Sequence, residues 1–372
     1  MSTTIYLIRH AEAEGNLYRR IQGQYNAAVT DRGMRQIKAL EKRFSSVHVD
    51  RVYSSDLDRT KSTAAAIYKN KGLELITTPL LREVNVGIWE DRTWGEMERA
   101  DPIQMRYFNK EPDLWHIEGS ESHFDLEARI YNTLMKIAEE NDGKAVAVVS
   151  HGMAIRALIA KLSGIGPKEI STVAHYDNTS VTELLVENGK MTIVSAGDNS
   201  HLPNEDSTFF HQDWWKNKSL NDSKNVRYEP FDFENDREYY EKAEKNSVAA
   251  GDVTTFLEAR AMAEINERSA VLAVLEEERI GVLVLDTEKG ADKNEGWMSL
   301  YFVEEAARGR TLAVQYLGHA SSVYRALGRK CLCISVNEND EHAIGFFGHY
   351  GFIKGECRNG FITLEKSLAT ER

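Results

Sequence analysis

The sequence predicts an α/β chain in two parts: an N-terminal, mostly parallel α/β/α sandwich over residues 1–222 and a C-terminal α+β domain over residues 223–372. Up to about residue 200, apolar strand segments alternate with helical segments, as in a parallel sheet covered on both faces. After about residue 225, several strands follow one another before a helix, which is typical of an α+β domain. The length of 372 residues suits about two domains.

In the first part, short apolar runs bounded by turn residues predict the strands. Segments with helical periodicity between them predict the helices, and residues 94–122, rich in Trp, Met and Tyr, break the alternation. We interpret that stretch as an insertion over the site described below. The predicted strands are 4–8, 49–53, 73–77, 145–149, 181–186 and 191–195, and the predicted helices are 32–44, 57–70, 124–141 and 153–162.

Between His201 and Asn225 the sequence becomes polar, which is typical of a connector, and we expect Trp214 and Trp215 to pin it to a domain surface. The domain boundary is placed near residue 222. Beyond it, the predicted strands are 226–230, 271–276, 280–286, 297–303, 331–336 and 361–366, and the predicted helices are 236–246, 253–267, 312–326 and a short one after the strand 331–336.

Composition and charge narrow the classes of partner. The net charge of −12 argues against nucleic acid and against an anionic membrane surface. No apolar run is long enough to cross a bilayer, and the N-terminal residues do not resemble a signal peptide, so we expect a cytoplasmic protein. Cys331, Cys333 and Cys357 lack zinc-finger spacing and are expected to be reduced thiols.

Four loops of the first part lie after predicted strands, three of them directly and one after a short turn. In an open α/β sheet, ligands bind just beyond the carboxyl ends of the strands, so we expect these loops to meet at one site. They contain histidine, arginine, serine and one glutamate, which are residues that can hold and transfer a phosphoryl group. The loops are Arg9-His10, residues 54–60, residues 81–87 and Ser150-His151-Gly152.

Hydrolysis of a phosphomonoester needs a nucleophile, cations for the phosphoryl oxygens and an acid for the leaving alkoxide. Neutral His10 can attack phosphorus and form a phosphohistidine, while Arg9 and Arg59 suit phosphate oxygens. His151, if protonated, adds a donor, and Glu83 is the natural proton donor once bound phosphate favours its protonated form. No metal-ligand pair such as HExxH is present, and the arginines would repel a cation, so no metal is expected.

Over about residues 4–202 the sequence resembles the histidine phosphatase (phosphoglycerate mutase-like) superfamily. The motifs are Leu7-Ile8-Arg9-His10-Ala11-Glu12, Thr30-Asp31-Arg32-Gly33, Ser54-Ser55-Asp56-Leu57-Asp58-Arg59-Thr60, Glu83-Val84-Asn85-Val86-Gly87-Ile88-Trp89-Glu90 and Ser150-His151-Gly152. The resemblance implies that His10 accepts the phosphoryl group, that Arg9, Arg59 and His151 hold it, and that Glu83 donates the proton. It also implies that Asn16, Gln22 and Gly23 bind the substrate.

The resemblance leaves the reaction and the substrate open. Asp91 and Ser120 stand where glycine is common in the superfamily, and both lie near the expected entrance. The moderate length of residues 83–122 favours a phosphatase that acts on a small phosphorylated metabolite. The alternatives are a phosphoglycerate mutase-type phosphotransferase and a non-catalytic sensor of phospholigand or acyl-CoA. Five residues could either line the entrance or serve packing and solvation: Tyr18, Arg19, Arg20, Trp115 and His116.

Residues from about 223 to 372 resemble a GNAT-type N-acetyltransferase. The resemblance rests on the strand 297–303, the turn that follows it and residues 336–352. The resemblance implies acetyl-CoA as cofactor, and a turn that opens a helix offers N–H groups to a diphosphate. The predicted cofactor-binding residues are Val303, Arg308, Gly309, Arg310, Thr311, Leu312 and Ala313.

Several positions bear on whether this second domain transfers an acetyl group. Thr311 stands where the family favours glycine, and its side chain should crowd the diphosphate. Phe347 stands where many members carry a tyrosine that protonates the thiolate, and Tyr350 lies three residues further on. Glu304 and Glu305 could serve as a base or be solvated. We also expect residues 1–222 to fold alone with full phosphatase activity; the sequence predicts no oligomeric state.

Overall fold

The computed structural model describes residues 1–212 and 224–371. In the first domain a six-stranded sheet has the order β3-β2-β4-β1-β5-β6. The first four strands in that order are parallel, and β5 and β6 are antiparallel. The strands are β1 (Thr3–Arg9), β2 (Arg51–Ser54), β3 (Leu75–Thr77), β4 (Ala145–Ser150), β5 (Val181–Glu187) and β6 (Lys190–Asp198).

Helices cover both faces of this sheet. On β1, Leu7 packs into the apolar cluster on one face and Ile8 into the cluster on the other, as the alternation of a strand requires. This confirms the predicted α/β/α sandwich. The helices are α1 (Glu14–Tyr18), α2 (Asp31–Phe44), α3 (Asp58–Lys71), α4 (Trp94–Ala100), α5 (Pro102–Lys110), α6 (His123–Glu140), α7 (Gly152–Leu162) and α8 (Thr208–His211).

The second domain has a seven-stranded sheet of order β12-β13-β11-β10-β9-β8-β7. Among the described strands of this second sheet, only β10 and β11 are parallel neighbours, so the predicted α+β class is confirmed. The strands are β7 (Arg227–Pro230), β8 (Ala270–Leu275), β9 (Glu278–Asp286), β10 (Glu295–Val303), β11 (Cys331–Asn337), β12 (Ile353–Arg358) and β13 (Phe361–Ser367). The helices are α9 (Arg237–Lys245), α10 (Phe256–Ile265), α11 (Val314–Ala326) and α12 (Glu341–His349).

The predicted strands and helices are found within a few residues of their expected bounds. The insertion contains α4 and α5, and three further elements were not predicted: α1, α8 and β12. Trp214, Trp215 and the predicted boundary at residue 222 lie outside the described residues, so the boundary stays a prediction. Within the described part of the chain, every helix is too short or too polar to cross a membrane.

The two domains share buried contacts around α1. Tyr18 is 1 % exposed and lies in the apolar core cluster of the second domain. A side chain at Gly318 on α11 would come within 2.5 Å of the Tyr18 Cβ, so this glycine allows α1 and α11 to approach closely. The Glu14 carboxylate pairs with Arg325 at 2.7 Å. The first domain is therefore held to the second by both apolar and charged groups.

Candidate active site

Strand register brings the two histidines together. β1 and β4 pair in parallel with Arg9 opposite Ser150, so the next residue of each strand leaves the same edge of the sheet. The backbone N–H of His10 donates to the carbonyl of Ser150 at 3.0 Å. The His10 and His151 ring centroids are 5.2 Å apart. The predicted convergence of these two loops is what the structure shows.

His10 is held in the form that a nucleophile needs. Its Nδ1 lies 2.7 Å from the Ala11 carbonyl, an acceptor only, so Nδ1 carries the proton and the lone pair is left on Nε2. Burial and the neighbouring cations Arg59 and Arg9 keep the pKa of His10 well below its usual value. His10 is therefore neutral near pH 7, as the sequence analysis required.

Two buried guanidinium groups face this region with unused donors. Arg59 donates to the carbonyls of Tyr25 and Gly23, each at 2.8 Å, and Arg9 donates to the carbonyl of Tyr176. The Nε atoms of both arginines are buried and have no hydrogen-bond partner among the described residues. Buried donors of a cation without partners are costly, so their position suits an anion.

His151 also has buried polar atoms without hydrogen-bond partners. Both of its ring nitrogens are buried and lack a partner in the described part of the chain. Burial, Arg59 and His10 hold the pKa of His151 well below its usual value, so the ring is neutral in this structure. The protonated form of His151, which the sequence analysis considered as a further donor, is disfavoured here by burial and by the neighbouring cations. A neutral imidazole still offers one N–H donor.

Glu83 is placed between this cluster and the start of α7. Its carboxylate accepts the backbone N–H groups of Met153 at 3.0 Å and Ala154 at 2.9 Å. The charge of Glu83 acts on both Arg9 and Arg59, so the three groups are close in space. Glu83, the two arginines and the two histidines therefore lie together, and what each does there is a proposal below.

The three predicted substrate-binding residues lie on the loop beside Arg59. The Asn16 side chain accepts the N–H of Ala13 at 3.1 Å and caps α1. Gln22 packs against Gly15, and its buried Oε1 has no partner among residues 1–212 and 224–371. Gly23 has a φ of +48°, where a side chain would come within 2.5 Å of Val86, so glycine is required.

Sequence reasoning missed several residues that support this site. The side-chain amide of Asn178 donates to the carbonyl of His10 at 2.8 Å, and Thr63 accepts the N–H of Ala11 at 2.9 Å. Thr179 has a φ of +58° and donates its N–H to the carbonyl of Arg9. An Asn followed by Ser or Thr just before a strand was the available signal for the segment around Asn178.

Four of the five residues considered for the entrance serve packing or ion pairing, and the fifth, His116, is exposed. Tyr18 is buried against the second domain, and Arg20 pairs with Asp91 at 2.7 Å. Arg19 donates to Asn225 at 2.8 Å. In the insertion, Trp115 is 3 % exposed among aromatic rings, and the His116 backbone binds Gln104. Their nearness in sequence to the phosphate motifs did not predict these tertiary partners.

In the second domain, the turn before α11 presents backbone donors. The N–H groups of residues 309–313 make no hydrogen bond within the described residues. Gly309 and Thr311 have φ of +71° and +60°. Glycine adopts this conformation freely, whereas threonine, with its branched Cβ, is strained there. Val303 and Leu312 are buried, which leaves the open backbone of the turn as the part that can meet a ligand.

Beyond this turn, β10 and β11 diverge. They pair from Glu295 to Trp297 on β10 and separate after that, although both strands continue. The segment 247–250 lies across the opening: Val248 donates to the carbonyl of Tyr301 at 2.9 Å, and Ala250 donates to that of Ser335 at 2.8 Å. A ligand that extends between the two strands must displace this segment.

Residues 5–199 match the histidine phosphatase superfamily (branch 1). The chain belongs to this superfamily. Residues 225–352 match the acetyltransferase (GNAT) family, so the second domain is a GNAT domain. Over 203 residues the chain is 32 % identical to the probable phosphoglycerate mutase GpmB of Yersinia pestis, an alignment that covers 53 % of this chain and 94 % of GpmB.

Solved structures show the same likeness for the first domain. YhfR of Bacillus stearothermophilus is 29 % identical with a TM-score of 0.52, over 54 % of this chain and 98 % of YhfR. This likeness confirms the predicted phosphoglycerate mutase-like fold. A mutant phosphoserine phosphatase from Entamoeba histolytica, in complex with phosphoserine, is 26 % identical with a TM-score of 0.49, over 54 % of this chain and 100 % of that one.

The other residues of the GNAT domain considered in the sequence analysis have mainly structural contacts. Phe347 is fully buried against Tyr301 and Phe352, so it is a core residue. Tyr350 lines a cavity of about 170 Å³ together with residues of the first domain. Glu304 binds the Lys242 ammonium at 2.6 Å, which agrees with a solvated ion pair. Arg308 donates to the carbonyl of Val303 at 3.1 Å and braces the turn.

Proposed function

We propose that the first domain hydrolyses phosphomonoesters of small metabolites through a phosphohistidine at His10, without a metal ion. One observation carries this proposal. Around neutral His10, whose Nε2 holds the lone pair, lie polar atoms of Arg9, Arg59 and His151 that have no hydrogen-bond partner in the described chain. A tetrahedral dianion supplies the acceptors that these donors lack.

In the first step, the lone pair of His10 Nε2 attacks phosphorus and forms a P–N bond while the ester P–O bond breaks. Glu83, as a carboxylic acid, gives its proton to the departing alkoxide. The carboxylate of Glu83 accepts two N–H groups of α7 in this structure, so the proton has to arrive with the ligand. A phosphomonoester with a second ionisation near pH 6 can arrive as its monoanion, pass its proton to Glu83 and remain on the arginines as the dianion.

In the second step, Glu83 takes a proton from a water molecule as the water oxygen attacks phosphorus. The P–N bond breaks, its electron pair returns to His10 Nε2, and inorganic phosphate leaves. The arginines hold the three equatorial oxygens through both steps. The hydrogen bond from Nδ1 to the Ala11 carbonyl favours a ring that carries positive charge, which supports the phosphorylated intermediate.

Hydrolysis of p-nitrophenyl phosphate in the presence of a chelator tests this function. We expect release of phosphate by the wild type and its loss in His10→Ala, with His116→Ala, an exposed histidine, as the matched control. Labelled phosphate trapped on wild-type protein but not on His10→Ala would support the intermediate. Transfer to a second hydroxyl without release of phosphate would favour the mutase-type reaction instead.

We propose that the GNAT domain binds acetyl-CoA at the turn of residues 308–313. Two features support acetyl-CoA binding. The N–H groups of this turn make no hydrogen bond within the described chain, and the turn lies at the N-terminal end of α11. Both features favour a diphosphate. Acetyl-CoA carries the acetyl group for transfer when it is bound, and Phe347 has no proton to give to its thiolate. Calorimetric titration of the full chain with acetyl-CoA tests binding, and absence of heat would refute it.

A further inference from the structure

The phosphatase site of this chain is built partly from its second domain. We propose that Arg325 and Ser322 of α11 are positioning residues for the phosphatase: they fix the loop of residues 13–26, which in turn holds Arg59. This proposal rests on the phosphatase function given above. It assigns to the GNAT domain a role that does not need acetyl-CoA.

The first contact is a buried ion pair. The Arg325 guanidinium lies 2.7 Å from the Glu14 carboxylate, whose side chain is only 5 % exposed. Lys366 of β13 donates to the Tyr18 hydroxyl at 2.7 Å and lies 3.7 Å from Glu14. Arg325 also hydrogen-bonds the Tyr25 side chain. Glu14 and Tyr18 define both ends of α1, so the second domain fixes the whole helix.

The second contact is a hydroxyl shared by both domains. Ser322 donates to the Asp91 carboxylate, and Arg20 donates to Ser322 at 3.1 Å. Asp91 also pairs with Arg20 and donates its N–H to the carbonyl of Ile21 at 2.9 Å. Ser322 therefore anchors the middle of the loop, between α1 and the two carbonyls that hold Arg59.

The loop transmits this position to the phosphate donors. The carbonyls of Gly23 and Tyr25 orient the Arg59 guanidinium, and the Arg59 Nε has no hydrogen-bond partner among the described residues. α1 also fixes Gln22, because a side chain at Gly15 would come within 2.1 Å of the Gln22 Cγ. A shift of α1 therefore moves both a predicted substrate contact and the support of Arg59.

A small cavity marks the same junction. Its volume is about 10 Å³, the size that holds one water molecule, and it lies between the loop and α11. The residues that line it contribute polar atoms without a partner in the described part of the chain: Gln22 Oε1, Arg20 Nη1, Ser321 Oγ and Arg325 Nη2. These atoms come from both domains. The junction between the loop of residues 13–26 and α11 therefore contains buried polar atoms of both domains, so a substitution on α11 changes the surroundings of the loop.

The test compares Arg325→Met with Arg358→Met in the full chain. Arg358 is a matched control because its side chain is 78 % exposed and pairs with the neighbouring Glu356. For p-nitrophenyl phosphate we expect Arg325→Met to raise KM about 10-fold or more with a smaller loss in kcat, since a displaced loop weakens phosphate binding. Affinity for orthovanadate should fall by a similar factor, and Arg325→Lys should restore part of both.

Ser322→Ala serves as the second variant, because it removes one hydroxyl and still decides the proposal if Arg325→Met does not fold. We expect it to raise KM and weaken vanadate binding several-fold. Wild-type KM and vanadate affinity in both α11 variants would overturn the proposal while leaving the phosphatase function intact. If the wild type binds vanadate without hydrolysing the ester, the hydrolytic function fails, and the vanadate affinities still decide the role of α11.

Discussion

Thr311 is strained by its left-handed backbone, and replacing it with glycine should stabilise the second domain. A non-glycine residue with left-handed backbone angles destabilises the folded state by about 1–2 kcal/mol. Replacing it with glycine gives the unfolded chain more conformational freedom, which offsets about 0.5–1 kcal/mol of the gain. The Thr311 side chain is exposed and hydrogen-bonds the adjacent carbonyl of Arg310, so little else is lost. The net expectation for Thr311→Gly is a gain of about 0.5–1 kcal/mol in the free energy of unfolding.

Scanning calorimetry of the full chain measures this gain, which corresponds to a rise of about 2 °C in the transition of a domain of this size. The matched control is Thr363→Gly in β13, where the backbone is extended and glycine should destabilise by about 1 kcal/mol. Titration with acetyl-CoA should show tighter binding to Thr311→Gly, since the Cβ no longer crowds the turn. The reasoning is refuted if Thr311→Gly lowers the transition as much as Thr363→Gly does.

Three further outcomes are expected. Glu83→Gln should slow esters with poor leaving groups about 100-fold or more but p-nitrophenyl phosphate far less, and equal losses on both would contradict the role of acid. Because the pKa of His10 is lowered, kcat/KM should hold as pH falls through 6.5 and drop only in more acidic buffer; a loss centred near pH 6.5 would show an ordinary histidine. Residues 1–222 alone should have much less activity than the full chain, because Glu14 loses its buried partners in the second domain. This differs from the expectation drawn from the sequence. Full activity of the fragment would show that the loop of residues 13–26 is stable by itself.

The first domain could be predicted from sequence because its signals are local. The apolar runs before Arg9 and Ser150 predict buried parallel strands, and register alone then places His10 beside His151. Glu83 and Arg59 follow by the same rule for strand ends. None of these inferences requires knowledge of the second domain.

The remaining features depend on partners distant in sequence. α1 has five residues and too little helical periodicity to be predicted, and it is stabilised by its contact with α11. β12 is exposed throughout and lacks a buried face, so pairing with β13 rather than its own pattern makes it a strand. The role of Arg20 was also hidden, since its partner Ser322 lies 302 residues away.

The bond between Tyr18 and Lys366 spans 348 residues, and this separation has a consequence for synthesis. A ribosome releases the strands and helices of the first domain long before it reaches Lys366, and domains generally fold as they emerge. During that interval, Glu14 and Tyr18 have no second domain to bury them and must remain in water. If α11 and β13 position the loop as proposed, we expect full order of the loop that supports Arg59 only after translation has passed Lys366.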